Sequence, residues 1–186
     1  PNLFSEIEKQ SSWLVKEGYP QAVANTAWAC ATLGTQSPNL FSEIEKQSSW
    51  LVKEGNPQDA ANTAWACATL GIQSPNLFSE IEKHSFQIVK DGRPQDVANT
   101  AWACSKLGLL SPELLLNIEK QSSWLIKEAE NSGNMQNISS VALSFASVGL
   151  ASEEIFGSIC KIVTNLIEEG NPQDIMNSCY SFAVLD

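Results

Sequence analysis

The sequence predicts an all-α protein: an α-solenoid (superhelix) of five antiparallel helix-turn-helix repeats of about 37 residues. Three observations lead to this prediction. Pro1, Pro38, Pro75 and Pro112 mark units 37 residues apart, each unit carries two helix signatures, and no segment alternates like a β-strand. Stacked helix pairs of this kind contact only their neighbours along the array.

The repeats are assigned to residues 1–37, 38–74, 75–111, 112–152 and 153–186 of a single array. The first two units differ at four positions, the fourth contains a four-residue insertion, and the fifth is degenerate. The last unit also stops before the glycine that closes the earlier ones. We therefore expect the chain to be a fragment of a longer protein.

The first helix of each unit, helix A, has clear boundary signals in the second unit. Ser37 is predicted to be its N-cap, and Pro38 occupies the first helical position, where a missing N–H costs nothing. The helix is expected to run without a break to about Glu54. Gly55 is expected to end it in the left-handed conformation.

The second helix, helix B, follows at once. Asn56 and Pro57 restart the chain, and Asp59 at the third helical position favours the N-terminal dipole. Gly71 is expected to end helix B. A junction this short is typical of an antiparallel helix pair.

Helix A carries two columns of lysine at repeat positions, opposite its apolar stripe. They hold nine of the eleven basic residues of the chain: Lys9, Lys46, Lys83, Lys120 and Lys161 in one column, and Lys16, Lys53, Lys90 and Lys127 in the other. Stacked units would join these columns into a cationic stripe, which we interpret as a surface for RNA phosphates.

Beside the lysines lie columns that vary between units. One contains Trp13, Trp50, Gln87, Trp124 and Asn165; the others include Gln10, Gln47, His84 and Gln121, and also Phe86. An aromatic ring between lysines suits stacking of a base, and an amide suits reading its edge. The alternative is structural, with each indole packed on the next unit and the lysines paired with Glu at i,i+3.

Helix B is apolar around most of its circumference, with a narrow polar strip. Its repeated amides Asn25, Asn62, Asn99 and Asn177 suit either a hydrogen-bond ladder between repeats or a second ligand-facing ridge. Trp28, Trp65 and Trp102 lie at the edge of this strip, and we expect them in the core.

No catalytic constellation is found, so no enzyme activity and no cofactor are expected. His84 is the only histidine in the sequence. Cys30, Cys67 and Cys104 recur too far apart for disulfides, and no Cys/His cluster typical of a metal site is present. We therefore expect these three cysteines to be buried thiols. No apolar run reaches the length of a membrane span, so no membrane insertion is expected. We also expect no small-molecule substrate. The net charge of −10 taken alone argues against nucleic acid.

The helix B segments resemble a known family. NPQDAANTAWACATLG at 56–71 and its copies in the first and third units are similar to the octatricopeptide repeats, and the 37-residue period is closer to the heptatricopeptide repeats. Both are related to the helical regions of FAST-kinase-like and RAP-domain organellar proteins. In the fourth unit Leu143 stands where the motif has Trp.

That resemblance implies non-enzymatic, sequence-selective binding of single-stranded RNA in a chloroplast or mitochondrion, in RNA maturation, stability, translation or ribosome assembly. The alternative is a scaffold for protein–protein interaction, as a subunit of a larger organellar complex. Trp-rich ridges and acidic flanks fit that alternative.

Overall fold

The computed structural model describes residues 3–132, 134–162, 164, 167–168 and 171–185, and all regular structure in these residues is helical. The all-α class is confirmed. The helices are α1 (Leu3–Lys9), α2 (Ser11–Glu17), α3 (Pro20–Thr32), α4 (Pro38–Lys46), α5 (Ser48–Glu54), α6 (Pro57–Leu70), α7 (Pro75–Lys83), α8 (Ser85–Asp91), α9 (Pro94–Lys106), α10 (Pro112–Lys120), α11 (Ser122–Ser132), α12 (Gln136–Ser147), α13 (Glu153–Lys161) and α14 (Pro172–Leu185).

Helix A is divided into two helices in the first four units, so the prediction of one continuous helix is wrong. The break falls at Gln10, Gln47, His84 and Gln121; at Gln47 the backbone has φ −106° and ψ 18°. The hydroxyl of the next residue, Ser48, donates to the carbonyls of Ile44 and Glu45 at 3.0 and 2.8 Å. Serine bonds of this kind compete with the helical ladder and bend the chain.

Helix B begins and ends largely as predicted. In α6 the Asn56 side chain accepts from the Asp59 N–H, and the Asp59 carboxylate accepts from the Asn56 N–H, both at 3.0 Å. This reciprocal cap satisfies two backbone donors. At the other end Gly71 ends the helix as predicted, and its φ of 70° is in the left-handed region.

The glycine between helices A and B has a different role from the one predicted. Gly55 is extended, with φ −81° and ψ 166°, so the left-handed assignment is wrong. A Cβ at this position would lie 2.4 Å from the Leu51 carbonyl oxygen and 3.1 Å from Cβ of Pro20 in the preceding unit. Glycine is needed here because a Cβ would clash with the last turn of its own helix and would crowd the Pro20 ring of the preceding unit.

A glutamate from the preceding unit caps the start of helix A in the second, third and fourth units, so the predicted serine cap is wrong for Ser37, Ser74 and Ser111, whereas Ser152 caps the fifth unit's helix by accepting from the Ile155 N–H. Glu45 accepts from the N–H groups of Asn76 and Leu77 at 2.8 and 3.3 Å, and from the Ser74 hydroxyl. Glu8 and Glu82 accept from the equivalent N–H groups of Asn39 and Glu113. An acceptor from another unit therefore joins successive units.

The helix B set packs in chain order: α3 on α6, α6 on α9, α9 on α12 and α12 on α14. These helices approach one another more closely than the helix A set does, because small buried residues such as Ala60, Ala64 and Ala98 face the contact. The helix A set supplies larger core side chains, among them Leu40 and Leu77. Among the described helices, none is long and apolar enough to cross a membrane.

We expect Glu45→Ala to lower the free energy of unfolding by about 2 kcal/mol, because it removes charge-assisted hydrogen bonds to otherwise unpaired helix N–H groups. Urea unfolding followed by circular dichroism would measure this. Glu54→Ala is the matched control, since Glu54 is exposed at the end of α5. Equal effects of the two substitutions would rule out a joint between units at Glu45.

Candidate nucleic-acid interface

The first lysine column of helix A is largely engaged in ion pairs. The pairs are Lys9–Glu6 at 2.7 Å, Lys46–Glu43 at 2.6 Å and Lys83–Glu80 at 2.7 Å. The bond from Lys83 holds the pKa of Glu80 below its usual value. In the fourth and fifth units Asn117 and Ser158 replace the glutamate, and the exposed Lys120 and Lys161 make no ion pair with a described residue.

The second lysine column is exposed and lies next to aromatic side chains. Lys16, Lys53, Lys90 and Lys127 make no ion pair within the described ranges. Trp13 is 63% exposed, Phe86 57% and Trp124 37%, whereas Trp50 is half-buried against the core. The Lys90 ammonium lies 5.9 Å from the centre of the Phe86 ring. This column has the cations and rings that the sequence reading required.

The remaining helix A residues predicted to contact bases differ in solvent exposure and in hydrogen bonding. Gln10 is exposed, whereas Gln47, His84 and Gln121 are half-buried at the break between the two parts of helix A. The exposed Gln87 amide donates to Asp91. Asn165 lies outside the described residues. Gln10, Gln47, His84 and Gln121 therefore occupy the helix break of the first four units, and the sequence did not indicate that break.

The polar strip of helix B forms a row of amides and indoles along the packed helices. The first three units place Gln, Asn and Trp at i, i+4 and i+7, which is one face of a helix, and the last two units have substitutions in this set. The sets are Gln21/Asn25/Trp28, Gln58/Asn62/Trp65, Gln95/Asn99/Trp102, Gln136/Ser140/Leu143 and Gln173/Asn177/Tyr180. We call this surface the amide–indole groove.

The amides of the groove do not form the hydrogen-bond ladder that the sequence suggested. Within the described residues, the side chains of Asn25, Asn62 and Asn99 have no hydrogen-bond partner, although Asn62 and Asn99 are half-buried. Asn177 accepts from Gln173 of its own helix at 2.9 Å. The amides of Asn25, Asn62 and Asn99 are therefore free to hydrogen-bond to solvent or to a ligand.

The indoles of the groove are less buried than predicted. Trp28 is 45% exposed, so its assignment to the core is wrong, and Trp65 and Trp102 are half-buried against the core. The rings of Trp28 and Trp65 lie with centres 6.3 Å apart at an angle of 32°. The indoles thus cover the core with one face and border the groove with the other.

The groove deepens into a cavity of about 320 Å³ around Leu143. Its lining comes from four helices in succession, including Trp65 of α6, Trp102 of α9, Leu143 of α12 and Asn177 of α14. A recess shared by four helices means that this surface is concave there. None of its described lining residues is charged.

The buried thiols are unreactive because they stay protonated. Burial raises the pKa of Cys67 to about 12 and that of Cys104 to about 11, so both stay protonated at neutral pH. Cys30, Cys67 and Cys104 are buried and free, as the repeat spacing predicted, whereas Cys160 and Cys179 are exposed. Among the described residues there is no group of three or more metal-ligating side chains.

The sequence indicated the helix B amides only as a second candidate surface for a ligand, and it did not indicate the Leu143 cavity. The signal that would have found it is the recurrence of Gln, Asn and Trp at i, i+4 and i+7, broken where Ser140 replaces Asn and where Leu143 and Tyr180 replace Trp. No protein-family model matches the chain, and no curated protein matches it in sequence.

Proposed function

We propose that this chain is an α-solenoid of five helical units that binds single-stranded RNA in its amide–indole groove, without catalysing a reaction on it. The proposal rests on one observation above all. The groove presents the half-buried amides of Asn62 and Asn99, which have no partner among the described residues, beside the indole rings of Trp65 and Trp102, and the first unit carries the same residues in a more exposed setting.

The packing of helix B supports the solenoid. Successive B helices approach more closely than successive A helices, so a stack of such units bends toward the B side. The groove then lies on the inner, concave face. This bending also explains why one cavity is lined by four helices.

The chemistry of the groove suits unpaired bases. An asparagine amide both donates and accepts, which matches the hydrogen-bonding edges of bases, and an indole face suits stacking on any base. Because the lining is uncharged, we expect the bases to face the groove and the phosphates to face solvent. Lys106 ends α9 and is exposed, whereas Arg93 precedes that helix and its guanidinium is paired with the Asp96 carboxylate at 3.0 Å.

The resemblance to octatricopeptide repeats supports the same surface. The Gln, Asn and Trp of the helix B motif are the three side chains that border the groove, and the alanines of the motif are buried in the contacts between helices. The resemblance also favours a chloroplast or mitochondrion as the setting.

The test is fluorescence anisotropy of a labelled single-stranded RNA titrated with the protein at 50 to 200 mM salt. With one or two phosphate contacts, the slope of log K against log salt should be about −1, since single strands lose roughly 0.7 per contact. A slope of about −3.5 or steeper would move the RNA to the helix A lysines. No binding at 50 mM salt would refute RNA binding and leave the protein scaffold.

A lysine variant separates the two surfaces. We expect Lys46→Gln with Lys83→Gln to change RNA affinity by less than about threefold, because both ammonium groups are already paired with glutamates and lie on helix A. The same anisotropy titration measures it. A uniform loss of affinity for all RNAs would instead identify the lysine columns as the phosphate-binding surface.

A further inference from the structure

The column of rings in the groove is interrupted once. Trp28, Trp65 and Trp102 are followed by Leu143 and then by Tyr180. Between Trp28 and Trp65 the ring centres are only 6.3 Å apart and the rings are tilted by 32°. Stacked bases lie about 3.4 Å apart, so a base inserted between two rings needs roughly 6.8 Å and parallel planes. No base fits between those two indoles.

At Leu143 the smaller side chain leaves space. The cavity of about 320 Å³ is at the lower end of the range of ligand pockets, roughly 300 to 1,000 Å³. One wall is the Trp102 indole, and amide or hydroxyl groups of Asn99, Ser140 and Asn177 lie around it. A flat ring could stack on the indole with polar groups at its edge.

Asn177 supplies a hydrogen-bond donor to the cavity. Asn177 is only 5% exposed, and its Oδ1 already accepts a hydrogen bond from the Gln173 amide. Its amide nitrogen has no partner among the described residues and offers a donor to the cavity, whereas the Asn99 amide and the Ser140 hydroxyl can each donate or accept. A ligand edge that accepts a hydrogen bond fits this donor, whereas an exocyclic amino group would oppose it.

We infer that the Leu143 cavity takes one nucleobase of the bound RNA, unstacked from its neighbours, and prefers uracil or guanine there. The inference rests on the proposed function and assigns its selective position. The first three units carry identical groove residues and would contact any base alike, whereas the fourth unit differs at Ser140 and Leu143. Carbonyl oxygens of uracil and guanine accept from the Asn177 amide, and the amino groups of adenine and cytosine at the equivalent edge do not.

Leu143→Trp tests the inference, because it places in the fourth unit the side chain that the first three units carry. Anisotropy titrations would compare oligouridine and oligoadenosine of equal length at one salt concentration. We expect the wild type to prefer oligouridine by about five- to tenfold, the equivalent of one hydrogen bond. Leu143→Trp should lose this preference while its affinity for oligoadenosine stays within about threefold.

Two further variants keep the test decisive if Leu143→Trp disturbs packing. Leu143→Ala widens the cavity and should keep the preference, whereas Asn177→Ala removes the donor and should abolish it. If Leu143→Trp keeps the wild-type preference, the cavity assignment is wrong while RNA binding stands. If the wild type binds neither RNA, the proposed function fails and this inference fails with it.

Discussion

Replacing both Asn62 and Asn99 with alanine is expected to weaken RNA binding by about 5- to 150-fold. Each amide contributes a hydrogen bond to a base, worth about 0.5 to 1.5 kcal/mol, and the loss of two gives this range. The folded protein loses nothing comparable, since within the described residues neither side chain has a hydrogen-bond partner. The unfolding midpoint in urea should therefore stay the same or rise slightly.

The matched control is Asn39→Ala with Asn76→Ala. These asparagines also recur 37 residues apart, but they are exposed at the start of helix A and their side chains make no hydrogen bond in the described part of the chain. The control should bind RNA like the wild type. Equal losses in both double variants would exclude a specific role for the groove, and unchanged affinity in Asn62→Ala with Asn99→Ala would refute it.

Much of the architecture follows from local signals that need no knowledge of neighbouring units. The proline at the first helical position and the glycine that ends helix B act within a few residues, so the sequence predicted them correctly, although only a dipole role was predicted for Asp59 and not its reciprocal cap with Asn56. The all-helical class follows from the same signals. The burial of Cys67 also followed from its place on the apolar arc of helix B.

The errors share one cause, which is contact between units. Ser37 has the residue type and place of an N-cap, but Glu8 of the preceding unit supplies the acceptor at the start of that helix. The helix B strip looked like a site for a ladder, and only the spacing of packed helices decides that Asn62 and Asn99 stay unpaired. For the same reason Trp28 was assigned to the core, although nearly half of its surface is open.

The candidate site shows the same limit. Helical periodicity puts Gln, Asn and Trp on one strip, but it does not say whether that strip faces solvent or another helix. Leu143 reads as an ordinary apolar residue in the sequence. It becomes a cavity only because its neighbours in the array carry larger rings.

Gly55→Ala is expected to lower the free energy of unfolding by about 3 kcal/mol, the largest effect on stability among these predictions. The new Cβ would lie 2.4 Å from the Leu51 carbonyl oxygen, and 3.1 and 3.2 Å from the Cβ atoms of Pro20 and Asp59. Backbone and ring atoms cannot move away as a flexible side chain would, so the last turn of α5 must distort and Gly55 must move away from Pro20 of α3. Urea unfolding measures the change.

Gly71→Ala provides the comparison, because there the added methyl group meets open space and the cost comes only from φ 70°. Left-handed backbone costs a non-glycine residue about 1 to 2 kcal/mol. Gly55→Ala should therefore be the more damaging of the two, and the reverse order would refute the close approach at Gly55. Since Pro20 begins α3 and Gly55 precedes α6, separating them also moves Trp28 from Trp65, and RNA affinity should fall together with stability.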